Sequence, residues 1–436
     1  MNEISNNIKS SLWTTKGFWI AAVTCTAIIA GTFSGIVSYI AFFLSVLAIV
    51  LLSQEDGLCF MMIVMPFANI FKSSPESQSF FTYLVLIYVL WYIVKTRYVH
   101  KTFLLAIGVL VIYLLVQMTV SSNMLRTIKF VANLLFIYLS VKSEASRNID
   151  NIKKLCLFYI TGIVVSSTMA ALNIIPNLID YIGTEDVWLQ TGQMERFTGM
   201  YSDPNYYSVN VIISLCLIVI LNHKKLLSAI PSVCLAAALV IFVGLTLSKS
   251  AFLMLMLPLF LLILSKIKRK NYFVLFCVLV VCIVLAVQIL SGKIEMFSGV
   301  IYRLDEATDI DSLFTGRSYI WQNYLEFLYE NPLKLMFGGG FGAEILDDLA
   351  AHNTYIDSLY YLGIIGTLLL ALVFGVLLNI NKSTEKLNFF NYSVWICIGV
   401  MYFFLSELFY FDWAFHVVIG IWILKMDMSP VRSVKR

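Results

Sequence analysis

The chain has little charge. Of its 436 residues, 13% are Asp, Glu, Lys or Arg, about half of the roughly 25% that a soluble protein carries. Hydrophobic residues make up 60%, and the mean hydropathy is +0.86. This composition excludes a single soluble domain with a buried core and a disordered chain. It also excludes a DNA-binding protein, so no nucleic acid is expected as a partner. It predicts an all-α polytopic membrane protein, because about 20 apolar residues form one span.

Motifs for metals and nucleotides are also absent. No HExxH and no Cys/His cluster suggests a metal site, and no GxxxxGK[ST] or GxGxxG suggests a nucleotide. No cofactor is therefore predicted. The glycines of residues 338–342 lack a preceding strand, so we interpret them as a hinge. The eight cysteines lie inside apolar runs or at their edges, which predicts buried thiols rather than a disulfide framework.

Clusters of basic residues predict how the chain is threaded. By the positive-inside rule these clusters are cytoplasmic, so an even number of spans separates neighbouring clusters. The apolar segments meet this condition with about 14 spans in one transmembrane domain (1–436), and 12 or 13 stays open because the first three are short. Both termini are then cytoplasmic, and the first apolar run is a span rather than a cleaved signal peptide. The predicted spans are 18–32, 36–52, 57–71, 80–95, 102–120, 124–141, 152–175, 204–222, 229–247, 250–265, 272–290, 353–378, 389–410 and 413–426.

Two outer connections are longer than the others. They are a small outer loop at 176–203 and a large outer loop at 291–352. The large loop begins with an acidic stretch. An amphipathic helix at about 315–331 follows, and Pro332 ends it because proline disrupts a continuing helix.

Nine basic residues lie at or near the outer face, against the usual bias. A membrane-anchored anion would explain them, because cations bind phosphate oxygens and arginine does so with a planar fork. The alternative is that some are solvated loop charges. The nine are Lys72, Arg126, Lys129, Arg196, Lys249, Lys293, Arg303, Arg317 and Lys334.

Three of these cations have informative neighbours. Arg196 precedes Asp203 and Pro204, which are themselves typical of a helix N-terminus. Lys249 lies at a tight outer turn, where a lysine can reach the membrane interface. Arg317 opens the loop helix and shares one helical stripe with Trp321 and Tyr324 at i+4 and i+7, although such an aromatic stripe more often packs.

His352 is the strongest candidate for proton transfer. The chain has four histidines, and this one alone lies at the outer end of a predicted span beside the large loop. Imidazole titrates near neutral pH, as a general base requires. The alternative is a helix-capping or interfacial histidine, since a lone histidine carries no partner motif.

Three segments together resemble the O-antigen ligase and polymerase superfamily of membrane glycosyltransferases. The likeness covers about residues 190–370 and includes the order of the motifs: a small outer loop, a Ser-basic-Ser turn, a large outer loop, and His-Asn at the next helix. The segments are Arg196–Phe197–Thr198–Gly199 through Asp203–Pro204–Asn205; Gly316–Arg317–Ser318–Tyr319–Ile320–Trp321 with Asn331–Pro332 and Gly338–Gly339–Gly340–Phe341–Gly342; and His352–Asn353–Thr354–Tyr355 with Gly363–Ile364–Ile365–Gly366.

The resemblance implies a metal-independent transfer of a glycan from an undecaprenyl-pyrophosphate carrier to a sugar hydroxyl. By the same resemblance, Arg317 contacts the pyrophosphate and His352 activates the acceptor. Arg196 matches the small-loop arginine. Lys249 departs from the arginine that relatives often carry, so it keeps the charge without the fork. The further substrate-binding candidates are Arg303, Asn353 and Tyr355.

The resemblance leaves the acceptor open. An O-antigen or capsule polymerase is the first interpretation, acting on lipid-linked repeat units at the outer face of the bacterial inner membrane. A ligase that moves the glycan to lipid A-core is the nearest alternative, and a non-enzymatic flippase or transporter is a second. Expected partners are the lipid-linked oligosaccharide, membrane lipid and, for a polymerase, a chain-length regulator protein.

Overall fold

The structure is a computed structural model, and it describes most of the chain. The described residues are 16–96, 99–142, 148–183, 186–189, 192–270, 272–273, 276, 280, 317–346, 349–381, 389–406 and 410–426. The predicted acidic stretch of the large loop and most of the predicted span 272–290 lie outside them. Within this part of the chain, helices dominate.

The helices are numbered in chain order. They are α1 (Lys16–Gly31), α2 (Gly35–Leu51), α3 (Gln54–Val64), α4 (Phe80–Thr96), α5 (Lys101–Met118), α6 (Met124–Lys142), α7 (Ile149–Ala171), α8 (Leu178–Ile182), α9 (Pro204–His223), α10 (Ala229–Leu245), α11 (Lys249–Met254), α12 (Met256–Lys268), α13 (Arg317–Glu330), α14 (Pro332–Phe337), α15 (Thr354–Ile380), α16 (Phe389–Met401) and α17 (Asp412–Lys425). Short 3-10 turns at Met65–Phe67 and Tyr402–Phe404 extend α3 and α16.

Six stretches of helix among the described residues are long and apolar enough to cross a membrane. They are α5, α6, α7, α9, α15 and the continuous stretch Lys249–Lys268 formed by α11 and α12. Five shorter apolar helices lie near other predicted spans. A multi-pass helical membrane protein is thus supported, whereas the predicted count of about 14 spans is not confirmed.

The small outer loop adds the only strands in the described residues. After α8, strand β1 (Asp186–Leu189) pairs antiparallel with β2 (Gly192–Glu195). The register places Asp186 opposite Glu195 and Leu189 opposite Gly192. Two residues therefore connect the strands, which is the length of a tight hairpin turn.

The chain divides into two compact units. Unit 1 comprises Met1–Leu84, Ile149–Glu306 and Asn388–Cys397, and unit 2 comprises Val85–Asn148, Ala307–Leu387 and Ile398–Arg436.

In unit 1, α9 is buried along almost its whole length. Its polar side chains are buried with it, and they are hydrogen-bonded as buried polar groups must be. Tyr159 on α7 donates to Asn210 at 2.7 Å, and Tyr207 donates to Ser167 at 2.6 Å. These bonds fix α9 against α7 in one register.

An ion pair connects two other helices of unit 1. The Lys154 ammonium near the start of α7 contacts the Asp56 carboxylate near the start of α3. The N-terminal ends of these helices therefore lie at the same end of the unit. The predicted threading requires the same arrangement, because 57–71 and 152–175 are the third and seventh spans and therefore cross the membrane in the same direction.

In unit 2, the longest helix, α15, is kinked at Gly363. This residue has φ 67° and ψ −179°, so its neighbours' carbonyl groups lose their helical partners. The glycine run supplies new ones, because Gly339 N–H donates to Tyr360 O at 2.7 Å and Gly340 N–H to Tyr361 O at 3.0 Å. On α5, the Tyr113 hydroxyl donates to Leu362 O at 2.6 Å.

This packing corrects the hinge interpretation of residues 338–342. A Cβ on Gly338 would lie 2.4 Å from Tyr361 O, and one on Gly363 would lie 2.3 Å from Gly338 N. Glycine is required at these positions because two backbones touch, and because both residues have positive φ. The run is a close-packed contact with α15, not a hinge.

The cysteines correct another expectation. Cys25, Cys59, Cys156, Cys216 and Cys397 are buried free thiols, as predicted, but Cys234 is exposed. Cys234 lies on α10, several of whose apolar side chains are also exposed. A bilayer would cover such a face, which is why hydrophobicity alone did not separate lipid-facing from protein-facing positions.

Replacing Gly363 with alanine should destabilise the protein by about 2 kcal/mol or more, since the Cβ meets backbone and the positive φ is strained. Gly375→Ala on the same helix is the matched control, because its Cβ would meet nothing within 4 Å. Thermal unfolding in detergent should show a lower Tm for Gly363→Ala only. Equal Tm values for both variants would contradict the role of the kink.

Candidate functional site

In unit 1, the small-loop motif and the Ser-Lys-Ser turn are in direct contact. Arg196 is 9% exposed, and its Nε donates to Thr246 O at 3.1 Å. The next residue, Phe197, donates its N–H to Leu245 O at 3.0 Å. These two hydrogen bonds join residues about 50 positions apart in the chain, and they hold the Arg196 guanidinium in place.

A third hydrogen bond joins these two parts of the chain. The Ser248 hydroxyl donates to Asn205 Oδ1 at 2.8 Å, and both side chains are buried. Ser248 also caps α11, because its oxygen accepts the N–H of Ala251 at 3.3 Å. Lys249 is therefore the first residue of α11, on a turn whose position is set by α9.

The helix N-terminus predicted at Asp203 and Pro204 is confirmed. Asp203 is the N-cap of α9, where its carboxylate accepts the N–H of Asn205 at 2.5 Å, and Pro204 occupies the first turn. A carboxylate at this position also complements the helix dipole. The role of these two residues is structural, as the local pattern indicated.

A cleft of about 500 Å³ opens beside Arg196 in unit 1. Its walls come from the end of α7, from α8, and from residues 195–199 of the small-loop motif. Glu195 and Arg196 place one negative and one positive charge on a lining that also includes apolar residues. The volume lies within the range of small-molecule sites.

In unit 2, α13 is attached to the segment that leads into His352. Trp321 donates its indole N–H to Ala351 O at 2.9 Å, and the Tyr324 hydroxyl donates to Leu349 O at 3.0 Å. Trp321 also packs edge-on against Phe403 with ring centroids 4.8 Å apart. The aromatic stripe of the loop helix is thus used for packing, and Arg317 at its first turn is carried on a fixed helix.

His352 lies in a strained backbone conformation. Its φ is 48°, a left-handed conformation that few residues other than glycine adopt. The Nδ1 atom of its imidazole is buried. Such a conformation costs local free energy, which the surrounding contacts must offset.

Asn353 and Tyr355 have structural partners. The Oδ1 atom of Asn353 accepts the N–H groups of Tyr355 and Ile356 at 3.0 and 3.1 Å, which makes Asn353 the N-cap of α15. The Tyr355 hydroxyl donates to Gly399 O at 2.9 Å. Both residues therefore shape the start of the helix that follows His352.

The sequence analysis did not single out two charged residues of unit 2, since it named Arg126 only as one of nine outward cations and did not name Asp357. Arg126 donates to Phe341 O at 3.2 Å and hydrogen-bonds Tyr361. Asp357, one turn along from Asn353, is 4% exposed. The signal that could have found Asp357 is a carboxylate inside an apolar span.

The other outward cations have local contacts or fall outside the described residues. Lys72 donates to Pro75 O at 3.4 Å, and Lys334 Nζ lies 4.6 Å from the ring centroid of Phe327. Both contacts agree with the interpretation of ordinary loop or surface charges. Arg303 and Lys293 lie outside the described residues.

The site residues are divided between the units. Arg196 and Lys249 belong to unit 1, whereas Arg317, His352, Asn353 and Tyr355 belong to unit 2. Among the described residues, no group of three His, Cys, Asp or Glu side chains could hold a metal ion.

These features define a helical membrane protein with conformationally restrained cations and a strained histidine at the ends of its spans. The model of the O-antigen ligase family matches residues 233–371, about a third of the chain. The matched segment includes Lys249, Arg317 and His352, so this part of the chain is similar to the O-antigen ligase family. No curated protein and no solved structure matches the chain.

Replacing Trp321 with phenylalanine should loosen the segment before His352. The variant loses one hydrogen bond, worth about 1 kcal/mol, so amide exchange at residues 349–353 should accelerate about fivefold. Tyr319→Phe is the matched control on the same helix, because Tyr319 is 64% exposed. Unchanged exchange in Trp321→Phe would show that α13 does not position this segment.

Proposed function

We propose that this protein is a polysaccharide polymerase. It transfers a glycan from an undecaprenyl-pyrophosphate carrier to a sugar hydroxyl of a lipid-linked repeat unit, at the outer face of the bacterial inner membrane. The family match supports a glycosyltransferase-like enzyme. The lipid-linked donor, the repeat-unit acceptor and the orientation are the parts that we add.

One observation carries the proposal. Trp321 and Tyr324 on α13 bind the segment that ends at His352, so the helix that begins with Arg317 and the strained histidine share one scaffold in unit 2. Glycosyl transfer from a diphosphate needs a cation for the leaving group and a base for the acceptor. This scaffold supplies one of each.

In the proposed reaction, the acceptor hydroxyl attacks the anomeric carbon from the face opposite the diphosphate. The bond from that carbon to the diphosphate oxygen breaks, and the configuration inverts in a single displacement. Negative charge grows on the leaving diphosphate, which Arg317 stabilises as a bidentate donor held in place before the reaction. The hydroxyl proton passes to the neutral imidazole of His352.

Arg196 and Lys249 are proposed to bind the substrate. Arg196 is buried and donates through Nε to Thr246 O, and it borders the cleft of about 500 Å³. Lys249 begins α11 on a turn that Asn205 holds. We assign these two cations to the diphosphate or glycan of the donor, and Arg303 to the same role from the resemblance alone.

His352→Asn should remove transfer and leave the fold intact. Asparagine tolerates positive φ better than most residues but does not act as a base at neutral pH, so the expected loss is about 100- to 1,000-fold in rate. The measurement is polymer formation by the purified variant on a lipid-linked repeat unit in detergent.

The control for that measurement is His100→Asn. His100 precedes α5 in a turn that the threading predicts to be cytoplasmic, and this variant should polymerise normally. If His352→Asn also inserts normally and forms polymer at the wild-type rate, the assignment of His352 as the base is wrong.

A ligase is the second candidate, because the matching family is described as O-antigen ligase. Both enzymes would use the same donor and the same cations, and they differ in the acceptor. A flippase or transporter would have no need for a base beside the loop helix. Polymer made by purified protein without a second membrane compartment would exclude transport alone.

Deletion of the gene should distinguish polymerase from ligase. We expect surface glycan of single repeat units, because the lipid-linked units can no longer be joined. The measurement is the length distribution of surface and carrier-linked glycan by gel electrophoresis. Long chains stranded on the carrier lipid would identify a ligase instead, and a dependence of chain length on a second gene would identify the expected regulator.

A further inference from the structure

A cluster of basic residues lies where α9 and α12 end, far from Arg196. We call it the basic cluster, and it comprises Lys224, Lys225, Lys266, Lys268, Arg269 and Lys270. The sequence has no acidic residue between Asp203 and Glu295. No acid on these helices or their connections can therefore neutralise the cluster.

Direct contacts bring the two helix ends together. The Arg269 guanidinium donates to Asn222 O and His223 O, both at 2.5 Å. The His223 ring stacks on Phe390 with centroids 4.1 Å apart, and its Nδ1 lies 2.9 Å from the Ser265 hydroxyl. The basic cluster thus rests on a fixed framework within unit 1.

The cations are close enough to repel one another. Lys268 Nζ lies 5.0 Å from the centroid of the same Phe390 ring that His223 stacks on. Burial lowers the pKa of Lys224, and the charge of Lys268 lowers it further. Holding like charges together costs free energy, and a bound polyanion or phosphate would offset that cost.

Apolar surface lies beside the basic cluster. On α10, which starts five residues after Lys224, Ile230 is 78% exposed and Val233 is 67% exposed. On α12, Ile267 is 44% exposed between two cluster lysines. A ligand that places a phosphate on the cations and hydrocarbon on these side chains matches both features at once.

We propose that the basic cluster binds the headgroup phosphate of an anionic phospholipid, with the acyl chains lying along the exposed faces of α10 and α12. Phosphatidylglycerol has this chemistry. A free anion would use the cations but not the apolar faces. Basic clusters at the membrane ends of helices are where such lipids bind.

This site is separate from the proposed reaction. Arg196 and Asp203 lie at the start of α9 and the basic cluster lies beyond its end, and a helix of 20 residues is about 30 Å long. The inference therefore does not rest on the proposed function.

Two general effects explain cations at this position without a ligand. The positive-inside rule favours them in cytoplasmic turns, and the helix dipole favours them at helix C-termini. Neither effect requires a cluster lysine to lie over an aromatic ring beside exposed hydrocarbon. The experiment must therefore measure selective lipid binding rather than charge.

The test is a titration of the full-length protein in neutral detergent with dioctanoyl phosphatidylglycerol, followed by thermal unfolding. The comparison ligands are dioctanoyl phosphatidylcholine and inorganic phosphate. The variant Lys224→Gln/Lys268→Gln retains Arg269, which binds the end of α9. The matched control, Lys95→Gln/Lys101→Gln, removes the same charge from another predicted cytoplasmic cluster.

We expect phosphatidylglycerol to raise the Tm of the wild type and the control, and to bind the Lys224→Gln/Lys268→Gln variant about 30-fold more weakly. Equal stabilisation by phosphatidylcholine or by inorganic phosphate would overturn the proposal, as would an unchanged affinity in the variant. If the variant does not fold, the selectivity of the wild-type protein among the three ligands still decides.

Discussion

The arrangement of unit 2 depends on one constraint: backbone groups that leave a helix in an apolar environment must find new partners. Gly363 breaks α15 and frees carbonyl groups that the N–H groups of Gly339 and Gly340 then bind. Because α14 ends in this contact and α13 directly precedes α14, the kink also limits where the loop helix can lie. The loop helix in turn holds the segment before His352 through Trp321 and Tyr324.

Unit 1 meets the same constraint with side chains. α9 buries Ser208, Asn210 and Ser214 along an otherwise apolar helix, and each has a hydrogen-bond partner. Near its N-terminus, Asn205 accepts the hydroxyl of Ser248. The polar face of α9 therefore does more than stabilise a helix pair, because it sets the position of the turn that carries Lys249. A buried hydrogen-bond network of this kind rigidifies the groups attached to it.

Much of the candidate site could be inferred from local pattern. The cap at Asp203 and Pro204 was predictable because capping depends on residues a few positions apart, and the loop helix was predictable because amphipathic spacing and Pro332 delimit it. The packing role of the glycine run was missed, since its partners Tyr360 and Tyr361 lie about 20 positions away. Asn353 and Tyr355 matched a motif, but their hydrogen bonds to α15 and Gly399 O depend on the folded chain.

By itself, the sequence determined the class of the protein and the chemical types at its site. Low charge and long apolar runs require a polytopic membrane protein, because hydrocarbon admits little else. Only the tertiary structure decided which groups meet: Arg196 with Thr246 O, Ser248 with Asn205, Trp321 with Ala351 O, and the kink at Gly363 with the glycine run. These contacts join residues that lie far apart in the chain. No local periodicity encodes them, since they arise when helices pack and buried polar groups take the partners within reach.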